Sequence, residues 1–550
     1  MSLARILLIV CLAGFVLPQR SGESLGAVLQ GEIRDSESGQ LLPARLYIKS
    51  ADGANWFFAK SADPKGSAIV YDKAREKSVE KHTTLSAHPF VAELPPGKYT
   101  LTVERGKEYL TATKVIELGT QQLDVKIELK RWINMAERGW YSGDTHVHRL
   151  ISELSNVALA EDLNMVYPMS QWVTVSHTLP EKGRVDATPY PSVPLFADPT
   201  HVIVPLNTEY EIFSVGAKRH TLGAVLIVGH KTPLPLGIPS VKAVAEEARK
   251  QGGLLDLEKH SWAWTPMIAP VMKADLYPLS NNHIWRTEFA FKSWTIENNW
   301  RDNPRIETDK EGFTESGWLH FGWEQYYAML NCGLRMRPTA GTANGVHPVP
   351  AGFSRVYVDL GKEKFTPELW QQRLDEGRSF VTTGPMLMLK HRDAPFGFHT
   401  IKKGKPNGLL GVLFATGTIE SEYPIERVEL IRNGEISHTS HPKSEQQADG
   451  HFVTKLSDGD DAGVQYDDSI WVAVRCVEKL PNGRTRFAHS APAFVDFADS
   501  PVRPRRDQVR YLIQRCEEEL ARNKEVLSEA ELAEYREALD FYRGKLKTAR

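Results

Sequence analysis

The chain has 550 residues, with Lys+Arg 67 against Asp+Glu 69 and a formal net charge of −2. That length favours several domains and permits a large core. Balanced charge supplies no excess to attract nucleic acid or an anionic membrane surface, so the expected partner is a small or neutral molecule, or none.

The opening residues, MSLARILLIVCLAGFVLPQRSGES, set Arg5 before an apolar run from Ile6 to Leu17, followed by Pro18 and a polar stretch. The run is too short to span a bilayer comfortably. It reads as a cleaved export signal over residues 1–22, with a periplasmic or secreted destination and no membrane span after signal removal. Cys11 follows Val10 rather than a small residue, which argues against a lipoprotein site. Cys332, Cys476 and Cys516 are too scattered for a disulfide framework or a zinc–thiolate site and are expected to be buried thiols.

Residues 25–132 alternate polar and apolar positions in short runs broken by Gly, Pro and Asp, the pattern of an antiparallel β-sandwich. GEIRDSESGQLLPARLYI and LPPGKYTLTV resemble the carboxypeptidase regulatory-like, transthyretin-like modules, which are usually spacers or adhesion units. No chemistry is assigned there.

Over residues 138–390 the texture changes to helix-then-strand units. A helix starting near Ser240 is stopped by Gly252 and Gly253, then runs into LLDLE and His260. A second has Thr366 as N-cap, Pro367 at the first helical position and Gly377 at its end. Serial βα units with polar residues at the strand ends predict a barrel-like parallel architecture whose loops build the site. Strands return over 396–498 as a second β-sandwich. Residues 503–550 read as a helical hairpin whose second helix opens on the capping box Ser528 to Glu531.

GWYSGDTHVHR holds the first chemical signal. On a strand, the period of two puts Asp144, His146 and His148 on one face, an arrangement suited to a cation. Asp144 would either orient an imidazole or satisfy backbone donors at the strand start. Further candidates follow in Glu209, His220, His260 and His347. In this order DTHVH, the Glu209 to RHTLG pair, QGG to KH, NNHIWR, GTANGVHPVP and GRSFVTTGP resemble the polymerase and histidinol phosphatase (PHP) superfamily, specifically the CehA/McbA-type metallohydrolases, over roughly Gly139 to Pro385.

The resemblance implies a distorted (β/α)7 barrel flanked by two β-sandwich domains and a C-terminal helical hairpin, a multidomain α/β plus all-β chain. It implies metal ligands at His146, His148, Glu209, His220 and His260, with Glu209 shared, and the ion of Glu209, His220 and His260 better supported. Ser170 and Gln171 stand where the family has Asp and His, and Ala343 and Gly345 where it has another Asp and His, so one or two ions are expected. His347, Asn344 and His177 are candidates to compensate; His230 reads as surface or structural.

Imidazole with one carboxylate suits Zn²⁺, Mn²⁺ or Fe²⁺, and an ion with an open position activates water for hydrolysis near neutral pH. The resemblance implies ester, carbamate, amide or phosphoester substrates. Trp262, Trp264 and Trp285 are candidates to wall a pocket, and His283 with Arg286 to bind an anionic group, against core and structural readings of the same residues. Two non-enzymatic readings remain open: a catalytically degenerate secreted binding or structural protein, and a carbohydrate-associated protein with the barrel as scaffold.

Overall fold

The computed structural model describes residues 26–550 apart from 76–77, 181–190, 260–261, 281, 287–305, 405, 407, 409–410 and 458–462. The expected export signal and His260 lie outside the described residues. The fold is mixed α/β, with seven α-helices among the described residues, none long and apolar enough to cross a membrane.

In the N-terminal region, Ala27–Asp35 alternates buried and half-buried residues, as its sequence AVLQGEIRD requires of a strand with one face inward. It pairs with Leu123–Leu129 and Phe90–Leu94. A separate sheet contains Ala68–Arg75, Ser78–Leu85, Ala44–Ser50, Gly97–Glu104 and Ala112–Leu118. Leu29 and Ile127 from the first sheet, and Leu46 and Leu101 from the second, share one apolar cluster.

Two sheets position the candidate site. In one, Trp140–Val147 pairs parallel with Met165–Pro168 and antiparallel with Arg355–Asp359. The other runs in the order Gln171–Val175, Asn207–Val215, Lys218–Val228, Leu254–Asp256, Leu276–Ser280, Arg337–Ala340. The expectation of serial parallel strands needs correction here, because Asn207–Val215 and Lys218–Val228 form an antiparallel hairpin. Only Gly216 and Ala217 separate them, far fewer than the dozen or so residues a parallel crossover takes, and Gly216 adopts φ +56° to make the turn. The first sheet also continues through Ser379–Thr382 into Thr485–Ser490, Ile470–Lys479 and Ile425–Arg432. Hydrogen bonding therefore crosses the boundary expected near residue 396.

Helix Val241–Lys250 begins after Ser240, and Pro367–Asp375 takes Thr366 as its cap, the hydroxyl accepting from Leu369 N at 3.2 Å. Helices Arg506–Asn523 and Glu529–Leu546 pack on the same core as the α/β region. Ser528 and Glu531 form the capping box. Cys332, Cys476 and Cys516 are free and buried.

Candidate metal centre

His146 lies on Trp140–Val147 and His148 one residue beyond its end; their Nε2 atoms face each other 2.9 Å apart. Glu209 comes from Asn207–Val215. Its Oε2 lies 3.1 Å from His148 Nε2 and 3.6 Å from His146 Nε2, buried and in no well-formed hydrogen bond. Ligand atoms of the three residues lie within 4.8 Å of one another, and the buried group could hold a metal ion. The Thr339 to Gly345 loop passes so close that a Cβ on Gly341 would stand 2.4 Å from His146 Cβ, which only glycine avoids.

The surrounding side chains favour a cation at this point. Glu258 Oε1 lies 2.9 Å from His146 Nδ1. A carboxylate there favours a proton on Nδ1, the usual support of a metal-bound imidazole, and a metal would take the place of the proton on Nε2. His146 Nδ1 and Glu258 Oε1 are, like Glu209 Oε2, in no well-formed hydrogen bond. Burial alone would lower the His146 pKa, but the charges of Glu258 and Glu209 outweigh it and hold it up at about 10. His148 is pushed down by burial. Burial opposes ionisation of Glu209, yet Lys259, His146 and His148 hold its pKa well below the usual range. Lys259 Nζ stands 3.3 Å from Glu209 Oε1 and 3.1 Å from Glu258 Oε2, and also pairs with Glu211. Burial raises Glu211 and Asp256 each to about 7.

Asp144 takes the backbone role rather than the imidazole-orienting one. Its carboxylate accepts from His146 N at 3.1 Å, Thr342 N at 3.1 Å, Thr342 Oγ1 at 2.6 Å and Gly352 N at 2.8 Å. Those bonds tie the histidine strand to the loop that covers it.

A cleft of about 640 Å³ opens beside His148. Trp172 and Arg149 line it from the α/β region, Tyr71 and Lys73 from the N-terminal sheet. The Trp172 ring lies 5.2 Å from that of His148, and its Nε1 donates to Glu211 Oε2 at 3.1 Å.

Several expected site residues stand elsewhere. His220 does not join the group: its Nε2 is 2.6 Å from Asn523 Oδ1 and 3.2 Å from Arg522 Nη1. Glu209 pairs with Leu226 across the hairpin, which leaves His220 six residues, roughly 20 Å, further along the strand. The ion expected on Glu209, His220 and His260 is thus not assembled by His220. His177 is half exposed and pairs with Glu531 at 2.5 Å.

His347 Nε2 is 3.1 Å from Asn282 Nδ2, and its Nδ1 is 3.4 Å from Arg75 Nη1. Asn344 donates from Nδ2 to Val349 O at 2.7 Å, while its Oδ1 is buried without a hydrogen bond among the described residues. Ser170 Oγ donates to Asn207 O at 3.1 Å and Gln171 Oε1 accepts from Thr208 Oγ1 at 2.9 Å, so both serve to join strands. Ala343 and Gly345 take positive φ, 48° and 108°, in the loop that carries Asn344.

The expected pocket tryptophans are buried instead. Trp264 and Trp285 belong to the core, and Trp262 packs edge-on against Phe213 at 5.8 Å, with Lys259 Nζ 5.2 Å from its ring. His283 meets the Trp318 ring edge-on at 5.0 Å. Arg286 is bonded to Glu80 at 3.0 Å and Glu104 at 3.3 Å in the N-terminal region.

Sequence reasoning passed over Glu258, Lys259, Glu211 and Trp172. The signal was present in TEYE and LLDLEK, where acidic residues recur every second position in otherwise apolar runs entering the site, against the rule that interiors exclude charge. No family model matches the chain, and no curated protein matches it.

Proposed function

We propose that the chain is an exported, divalent-metal-dependent hydrolase of the PHP, CehA/McbA type, acting on an ester, carbamate, amide or phosphoester bond of a small molecule. The observation that carries this reading is the convergence of His146 Nε2, His148 Nε2 and the unbonded Glu209 Oε2 at the edge of a cleft. Two imidazoles with one carboxylate suit Zn²⁺, Mn²⁺ or Fe²⁺. When bound, such an ion supplies activated water and polarises the scissile oxygen.

The chain's own residues do the rest. Glu258 sets a negative charge 2.9 Å from His146 Nδ1, which favours a proton on that nitrogen. Trp172 offers an apolar face beside His148, while Arg149, 2.8 Å from Glu153 and with its guanidinium 4.9 Å from the Tyr71 ring, sets a cation at the cleft wall. Glu153 and Asp72 line the same cleft and balance Arg149 and Lys73, so small substrates with an apolar part fit that lining without a preference for charge.

The test is metal analysis of the purified chain together with hydrolysis of a panel of esters, carbamates, amides and phosphoesters. Metal bound in proportion to protein, lost in His146→Ala and Glu209→Ala, with metal-dependent turnover, supports the reading. A chain that binds no metal overturns it.

A second reading, a metal-binding descendant without turnover, draws on the placement of His220 against Asn523 and of Ser170 and Gln171 in strand-joining bonds. Metal bound with no hydrolysis across the panel would favour it.

A further inference from the structure

We infer that Lys259 stands in place of a second cation, so that the centre takes one divalent ion and uses the ammonium as the other positive charge. The inference deepens the metal-dependent reading and rests on it.

The decisive geometry is at Glu209. Its Oε2 faces the two imidazoles, at 3.1 Å and 3.6 Å, while its Oε1 faces Lys259 Nζ at 3.3 Å. A carboxylate that offers one oxygen to each of two cations is the bridging arrangement of a two-metal site, with the ammonium here at one of the two positions. Lys259 does not meet Glu209 alone. Glu258 Oε2 lies 3.1 Å from Nζ, and Glu211 Oε1 pairs with it from the same strand as Glu209. All four side chains are buried.

Occupancy favours a single metal. Nζ already stands among Glu209 Oε1, Glu258 Oε2 and Glu211 Oε1. A second divalent ion would have to displace it from these three oxygen contacts or add a further buried positive charge beside the ammonium, which is costly away from water. Lys259 is therefore a positioning residue: it fixes Glu209 with Oε2 directed at the imidazoles and closes the neighbouring position to metal. The same geometry says what removing it would do. Three buried carboxylates with no cation among them would form an oxygen-rich pocket next to the first ion, sharing Glu209 with it.

Purified chain loaded with Zn²⁺, and separately with Mn²⁺, then freed of excess and measured by elemental analysis, tests this. One ion per chain is expected in the wild type and in Lys259→Arg, which keeps the charge, and two per chain in Lys259→Met, which keeps the length and loses it. Two ions in the wild type, or one in a folded Lys259→Met, would overturn the inference and leave the metal-dependent reading standing. No ion in the wild type would overturn both. Should Lys259→Met fail to fold, anomalous diffraction from metal-loaded wild type decides. A single peak at His146, His148 and Glu209 with Nζ still among the carboxylates supports the inference, and a second peak at the Nζ position ends it.

Discussion

Glu258 shows how one buried carboxylate can govern a centre it need not touch. It lies 2.9 Å from His146 Nδ1, close enough for its charge to favour a proton on that nitrogen. Glu258→Gln keeps the shape and removes the charge, and partners of this kind are worth about 10–100-fold in metal affinity. Titration with Zn²⁺ should show a loss of that order with secondary structure intact; unchanged affinity would show that the proton is held by other means. His201 carries a separate, titratable contribution to stability. It is nearly buried, 2.9 Å from Asp198 and 3.4 Å from Asp162, and Asp162 is itself bonded to Arg105 and Arg131. Burial lowers the His201 pKa, but the two aspartates outweigh it and raise it to about 8. Because the folded pKa exceeds the ordinary value of about 6.5, the stabilisation is complete below pH about 6.5 and is lost as pH rises through about 8. Its size is up to about 2 kcal/mol. Denaturant unfolding at pH 6 and pH 9 should therefore show a pH-dependent part in the wild type that His201→Gln removes. Equal pH dependence in both proteins would refute the assignment.

At the scale of elements, helix Val241–Lys250 takes its cap from another part of the chain. Glu534 on the C-terminal helix accepts from Val241 N and Lys242 N, each at 3.0 Å, and also bonds Ser240. A carboxylate at a helix N-terminus satisfies unpaired N–H groups and meets the positive end of the dipole. Glu534→Ala should cost about 2 kcal/mol, the upper end for a lost cap, read as a lower urea midpoint with the slope unchanged. Local signals of this kind were legible in part. Thr366 and the Ser528 to Glu531 box were readable because a cap and its helix are neighbours in sequence. Glu534 was not readable as the cap of Ser240, since nothing local links residues so far apart. The site divides in the same way. His146 and His148 were legible from a strand's period of two, whereas His220 was expected beside Glu209 from the family resemblance, which fixes order along the chain and not strand direction. The antiparallel hairpin instead carries His220 away from Glu209 toward Asn523.

At the scale of the whole molecule, the N-terminal region is joined to the rest by buried charge. The Arg286 guanidinium bonds Glu80 at 3.0 Å and Glu104 at 3.3 Å and lies 4.9 Å from the Tyr47 ring. Arg45 bonds Glu104 at 2.6 Å and pairs with Glu161 on the first helix of the α/β region. Tyr71 donates to His347 O at 2.6 Å and accepts from Gly345 N at 2.8 Å, reaching the loop beside the metal group. A region held only by a linker would unfold on its own, whereas one held through buried ion pairs should unfold with its neighbour. Removing one partner of a buried pair costs about 3–5 kcal/mol, because the charge left behind has lost both water and its counter-ion. Arg286→Met leaves Glu80 with Tyr47 and His82, so the lower end of that range applies. Calorimetry of the wild type should therefore give one transition. In Arg286→Met the N-terminal region should melt first, splitting that transition into two. The cleft adds a second readout, since Tyr71 and Lys73 line it from the same region. Early melting should weaken binding of a cleft ligand at temperatures where His146, His148 and Glu209 still hold their metal. A single, unshifted transition in Arg286→Met would mean that apolar contact, rather than this network, joins the two regions.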